Sequence, residues 1–219
     1  MATYRNTGNR LITVDSTLMI QLDDNLLIGS GTLRACYQFP EKPDLVVKVP
    51  LPDASGGDDA NRKEWRSYRQ ITRMLSEIDH ISRCRGFVDT DRGQGLICDC
   101  IRDHDGQVSE TLLDIVVYRE GCDLDYLVEV AEHFCNYLIA NDLFLFDINM
   151  KNIACQRLRD GTYKPFAIDL KGPLDNQEFL QLSSRIKFLG RKKLKRRARQ
   201  LLERIVTFHA QRESLKSDR

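Results

Sequence analysis

The chain has 219 residues, 42% of them hydrophobic and 30% charged, at a mass of 25.3 kDa. That is enough for one sizeable core or two small lobes around a cleft, and it excludes a disordered or fibrous chain. Apolar runs such as residues 143–146 fall far short of the ~20 needed to span a bilayer, and the first residues lack the apolar stretch of a secretory signal, so no transmembrane segment and a cytoplasmic location are expected.

Residues 1–24 read as an N-terminal segment without a strong pattern. From Asn25 two short apolar stretches flank Gly29-Ser30-Gly31, a turn follows at residues 40–44, and residues 45–49 read as a strand, which gives the first three strands of an antiparallel sheet. The Pro-, Gly- and Asp-rich residues 50–60 predict a loop, with Asp58 or Asp59 capping a helix over residues 60–77 whose apolar stripe is Trp65, Tyr68, Ile71 and Leu75. Two more strands fit near residues 86–89 and 95–101, and the polar turn 102–106 marks a hinge between an N-terminal lobe, 25–101, and a C-terminal lobe, 102–219. In the second half Leu127, Val130, Ala131, Phe134, Leu138 and Ile139 predict a central helix over 124–140. A hairpin turned at Arg159-Asp160-Gly161 follows, its returning strand being 165–169. One or two basic helices, 182–189 and 192–208, complete the expected elements.

Several residues stand out chemically. Gly29 and Gly31 let the backbone approach a ligand and offer N–H groups to a phosphate, although a plain β-turn has the same look, and Arg34 stands where G-x-G-x-x-G has its third glycine. Lys48 interrupts an apolar strand on the same face as Val46, where a charge needs a partner or must reach out to water. Glu64 lies in the first helix and faces either the sheet or solvent. Asp147 and Asn152 form D-x-x-x-x-N directly after a buried run, which sets a general base and a metal-holding amide at the two ends of one tight loop. Asp169 ends an apolar strand and serves either as a cap or as a carboxylate beside that loop. The seven cysteines show no ligand spacing and read as reduced thiols, several of them buried, and His80, His104, His133 and His209 fall in four separate elements.

Glycine turn, strand lysine, helix glutamate, D-x-x-x-x-N and a following Asp appear in the order of the protein-kinase fold, which this chain resembles. The resemblance implies an α+β, protein kinase-like bilobal fold: a small antiparallel β-sheet lobe with one helix, then a mainly helical, truncated second lobe. It implies ATP and Mg²⁺ as cofactors, Gly29 and Gly31 covering phosphates, Lys48 paired with Glu64, Asp147 as base, and Asn152 with Asp169 on the metal. The adenine-facing hinge would be residues 96–101, with Asp99 and Ile101 as nucleotide-binding positions. Departures are visible too. Leu145-Phe146 replace His-Arg before Asp147, Asn149 stands where active protein kinases have a lysine, Leu170-Lys171-Gly172 replace Phe-Gly, and the residues after Gly172 are too few for the usual peptide-binding helices.

The runs Gly31-Thr-Leu-Arg-Ala-Cys-Tyr37, Arg85-Gly-Phe-Val-Asp-Thr-Asp-Arg-Gly-Gln-Gly95, Asp103-His-Asp-Gly-Gln107 and Asn152-Ile-Ala-Cys155 narrow the match. Together they resemble the bacterial YrbL family of PhoP regulatory network proteins, over residues 26–205. The expected function is a compact MgATP-dependent phosphotransferase whose acceptor is a small molecule or an exposed protein side chain. The alternative is a pseudokinase-type regulatory module that binds nucleotide or a partner without turnover.

Charge is balanced overall at +1 but not locally: nine of the fifteen residues 185–199 are Lys or Arg and none is acidic, which leaves the rest of the chain at −8. This arm is expected to pack as helix against the second lobe, burying Phe188, Leu194, Leu201 and Ile205, with its cations along one outer face. That face would meet anionic lipid, nucleic acid or the chain's own acidic body.

Overall fold

The chain runs twice through each of two units: Met1–Tyr68 and Ser82–Cys100 form the first, Arg69–Ile81 and Ile101–Arg219 the second. The computed structural model describes residues 2–4, 12–14, 19–54, 56–144, 148–170 and 184–217.

In the first unit, a short antiparallel hairpin pairs β1 (Ala2–Tyr4) with β2 (Ile12–Val14). The main sheet contains β3 (Leu27–Ser30), β4 (Arg34–Gln38), β5 (Leu45–Pro50), β6 (Cys84–Thr90) and β7 (Gly93–Asp99). All five are antiparallel, in the spatial order β3-β4-β5-β7-β6. Strand β5 explains how the sheet holds together, because side chains alternate across a strand and both of its faces are covered. Leu45, Val47 and Val49 enter one core with Leu22, Ala35, Tyr37, Phe39, Val88 and Ile97. Val46 enters the other with Cys84, Leu96 and Cys98, beneath Trp65 and Tyr68. Those two rings belong to α1 (Gly57–Met74), which begins and ends three residues earlier than its hydrophobic stripe predicts. Gly57 starts it because a Cβ there would lie 2.5 Å from Pro50 Cβ and 2.8 Å from the Leu33 carbonyl. Gly86 permits the bulge of β6, where the register slips after Cys84 and φ is +123°. Residues 20–22, unassigned from sequence, border β6: Ile20 exchanges backbone hydrogen bonds with Asp89 and Asp91, and buried Leu22 donates to the Asp91 carboxylate.

The second unit is mainly helical. Thr111 and Asp114 form a reciprocal capping box that starts α2 (Leu112–Tyr118), a helix the hydrophobic period alone is too short to reveal. Asp123 caps α3, whose bounds Leu124–Ala140 are those expected, and Leu127, Ala131, Phe134 and Leu138 form its buried stripe. The hairpin β8 (Ile153–Arg157) with β9 (Tyr163–Ala167) turns where predicted, with Gly161 at φ +84° and the Asp160 carboxylate accepting from Thr162.

The open choice between one and two basic helices resolves to a single 34-residue helix, α4 (Ser184–Ser217). Gly190 lies within the helix and makes room for a ring: a Cβ there would stand 2.6 Å from Phe144 Cε1. Leu194, Ala198, Leu201 and Ile205 are buried, and the helix packs against α3 and α2. Phe188, however, is 68% exposed, because the buried stripe of an α-helix recurs every three or four residues and Phe188 lies off its line. The cations do not share one face either. Arg191 forks onto the Asp142 carboxylate at 2.5 and 3.0 Å, and Arg197 is half-buried.

Candidate functional site

Strand alternation sets Lys48 beside Val46 on the α1-facing side of the sheet, and the register puts Cys36 of β4 directly opposite it. Lys48 is 8% exposed and Glu64 2%, so neither charge can rely on water. They meet in an ion pair, with Lys48 Nζ 2.6 Å from Glu64 Oε1. The other carboxylate oxygen, Oε2, accepts from Arg34 at 2.6 Å. Asn61, one helical turn before Glu64 and fully buried, completes the centre: its Oδ1 accepts from Arg34 at 2.9 Å and its Nδ2 donates to the Lys48 carbonyl at 2.9 Å. Arg34 and Asn61 were not picked out as site residues. The signals for them are geometric, since Arg34 sits two residues from Cys36 on the same strand face, and Asn61 and Glu64 share a helix face at i, i+3.

The glycine turn stands at the end of this group. Gly31 N–H donates to the Arg34 carbonyl at 2.8 Å, which closes the turn, and Gly29 has open space where a side chain would be. The neighbouring thiols are not nucleophiles. Burial pushes Cys36 up to about 12 and raises Cys84 well above the usual thiol range. Glu64, Cys84 and Cys98 bring three ligand-type atoms within 4.8 Å of one another, with both oxygens of Glu64 accepting from cations.

Asp99, at the end of β7, is engaged within the first unit. Arg85 forks onto its carboxylate at 2.6 and 2.9 Å, its N–H donates to the Arg83 carbonyl, and its own carbonyl accepts from Ser82. The Ile101 carbonyl accepts from the Ser109 N–H at 3.0 Å in the second unit.

Asn152 and Asp169 belong to the second unit. A 3₁₀ turn, Met150–Asn152, leads into β8, and Asn149 caps it by accepting the Lys151 N–H on its side chain. The β8–β9 register ends at Ile153 opposite Ala167, and the Ile168 N–H then donates to the Asn152 carbonyl at 3.1 Å. Asn152 and Asp169 therefore leave the same end of one hairpin, both half-buried, and offer the hard oxygen donors that suit Mg²⁺. Asp147 lies outside the described residues.

A third feature was missed altogether. His80 is buried at φ +55°, with its Nδ1 2.7 Å from the Pro165 carbonyl and its own carbonyl accepting from the Ala167 N–H at 2.9 Å. Tyr137, Phe134, Phe166 and His133 surround the ring, so two of the four histidines do come together, at 5.1 Å between centroids. Burial lowers the pKa of His80, and the neutral imidazole is the form this cage holds.

A five-stranded antiparallel sheet with a buried cation–carboxylate group, and a unit of helices with one hairpin that ends at Asn152 and Asp169, define a mixed α/β protein. The profile of the family described as PhoP regulatory network protein YrbL matches residues 20–206, and the chain belongs to that family. It is similar to proteins named "Uncharacterized protein YrbL" in Escherichia coli strain K12 and Shigella flexneri, each 31% identical over 155 residues covering 69% of this chain and 72% of the relative. No helix among the described residues is long and apolar enough to cross a membrane.

Proposed function

We propose that the chain is a compact kinase-like phosphotransferase that binds MgATP. The observation that carries this reading is the buried Lys48–Glu64 pair. Folding gains little from a buried ion pair compared with apolar packing, so a lysine kept in a strand core and aimed by a helix glutamate suits a task such as holding phosphate oxygens. In this reading the Gly29–Gly31 turn covers the phosphates, Glu64 aims Lys48 at them, Asn152 and Asp169 hold Mg²⁺, and Asp147 accepts the proton of the attacking hydroxyl. Bound Mg²⁺ would neutralise charge on the transferring phosphoryl group. In this reading the acceptor is a small molecule or an exposed protein side chain whose hydroxyl comes within reach of Asp147.

A pseudokinase-type module is the second reading, favoured by Asn149. Its side chain caps the turn locally and supplies no charge where active protein kinases have a lysine.

Thermal shift tests the proposal. A ligand at ~100 times its dissociation constant stabilises the folded state by ~2.7 kcal/mol. MgATP should raise the melting temperature, Asp169→Ala should remove the Mg²⁺ dependence, Lys48→Ala should weaken the nucleotide, and Asp147→Ala should leave binding intact. No MgATP shift, or equal binding by the chain and its Asp169→Ala variant with Mg²⁺ present, refutes it. Phosphate release or transfer lost on Asp147→Ala separates enzyme from pseudokinase.

A further inference from the structure

We propose that the outer face of α4 is a docking surface for an anionic lipid bilayer, a role that does not depend on nucleotide binding. Leu194, Ala198, Leu201 and Ile205 turn one side of the helix into the second unit. At 100° per residue, Phe188, Lys192, Lys195, Arg199 and Val206 fall within about 60° of one another, about 120° round the helix from that buried side, in a stripe about 27 Å long. All five are exposed, Phe188 by 68% and Val206 by 46%, and Leu189 beside Phe188 is 61% exposed. Arg196 flanks the same stripe and is exposed. Glu203 is the single acidic residue between 188 and 206; it lies at the edge of the same face, and the cations there outnumber it.

The internal role of the basic arm is already filled by other residues. Arg191 takes Asp142 and Arg212, at 9% exposure, donates to the Val116 carbonyl at 3.2 Å, so contacts to the body and the outward cations are separate sets. What selects lipid over nucleic acid is the apolar component. A phosphate backbone rewards cations, and bases reward aromatic planes, but neither has a use for exposed Leu189 and Val206. A bilayer takes both, with headgroup phosphates on the cations and the acyl boundary on Phe188, Leu189 and Val206. The pattern of apolar ends around a basic middle fits a helix lying flat on such a surface.

The test is co-sedimentation of the full chain with unilamellar vesicles of phosphatidylcholine, with or without about one-third phosphatidylglycerol, at about 0.05 M and about 0.5 M salt. Binding is expected on the anionic vesicles only. Each cation near such a surface contributes about fivefold, so Lys192→Gln/Lys195→Gln/Arg199→Gln should weaken partitioning about 100-fold at low salt, and much less at high salt. Phe188→Ser/Leu189→Ser should weaken it by a factor that is the same at both salt concentrations, which an electrostatic contact alone cannot produce. Both variants change exposed side chains only and should keep the parent melting temperature. Absence of wild-type binding to anionic vesicles overturns the proposal. So does binding to duplex DNA or RNA without vesicle binding, or a charge variant that unfolds while vesicle binding by the double serine variant equals wild type. A failed MgATP shift leaves the proposal standing, because the two measurements share no residue.

Discussion

The cations of the sheet unit and those of α4 obey opposite rules. Lys48 and Arg34 converge on a single carboxylate inside the protein, whereas Lys192, Lys195, Arg196 and Arg199 spread over an exposed helix face. A buried charge is tolerable only with its partner in place, so each member of the inner group depends on the others. An exposed charge is hydrated and screened, so its neighbours barely notice its loss. The contrast teaches where function can be read from stability. Inner-group substitutions report on folding and on any ligand together, while outer-face substitutions report on partners alone.

The sharpest way to break that contrast is Glu64→Gln. It leaves two cations around a neutral amide, and chemical denaturation should show a loss of about 3–5 kcal/mol. A loss under about 1 kcal/mol would mean that the inner group is as loosely held as the outer face. Arg34→Leu and Lys48→Met are gentler, because each leaves the carboxylate one cation. We expect about 1–3 kcal/mol for either, and a double variant that departs from additivity, since both act through Glu64.

His80 extends the comparison to a group that must stay uncharged. Asp79 and the Pro165 carbonyl favour its protonation, Lys164 and His133 oppose it, and burial decides the direction downward. The unfolded chain takes up this proton near the ordinary value of 6.5 and the folded chain only at lower pH. The stabilisation is therefore complete above about pH 6.5 and is lost as pH falls toward the folded value. His80→Asn tolerates the left-handed backbone and should flatten the melting temperature against pH across that window. Although burial opposes it, hydrogen bonds from the Lys164 side chain and the His80 backbone hold the Asp79 carboxyl below the usual range, and Asp59, Asp105 and Asp160 are lowered too, so a slope surviving at more acid pH belongs to these carboxylates and not to His80. The smallest effect belongs to α4, where Lys195→Gln should alter stability by less than about 0.5 kcal/mol.

The antiparallel sheet, α3 and the β8–β9 hairpin were legible because each is a long periodic run bounded by turn residues. Lys48 was legible as a charge out of place, and Glu64 only through the kinase-like order of motifs, since its place on the helix left sheet and solvent equally open. Arg34 was hidden because it stands where a glycine was sought, and its role arises only when β4 and α1 are brought together. Asn61 shows no pattern until its amide meets two carbonyls from different strands. His80 was hidden for a related reason, since the ring cage joins residues more than fifty positions apart.

The interleaving of the two units has a consequence for the order in which the chain acquires structure. Residues 69–81 are translated between strands of the first unit yet belong to the second, and the partner of His80 and Ile81 is β9. During synthesis the five-stranded sheet can close once Cys100 has left the ribosome, while the corner at His80 waits for Pro165 and Ala167. Through that interval its imidazole, its backbone carbonyl and the apolar side chain of Ile81 lack the partners that β9 supplies. A nascent chain halted between those points presents a sticky corner to chaperones or to a second copy, and arrest there should leave it more sensitive to protease at residues 75–82 than the finished protein.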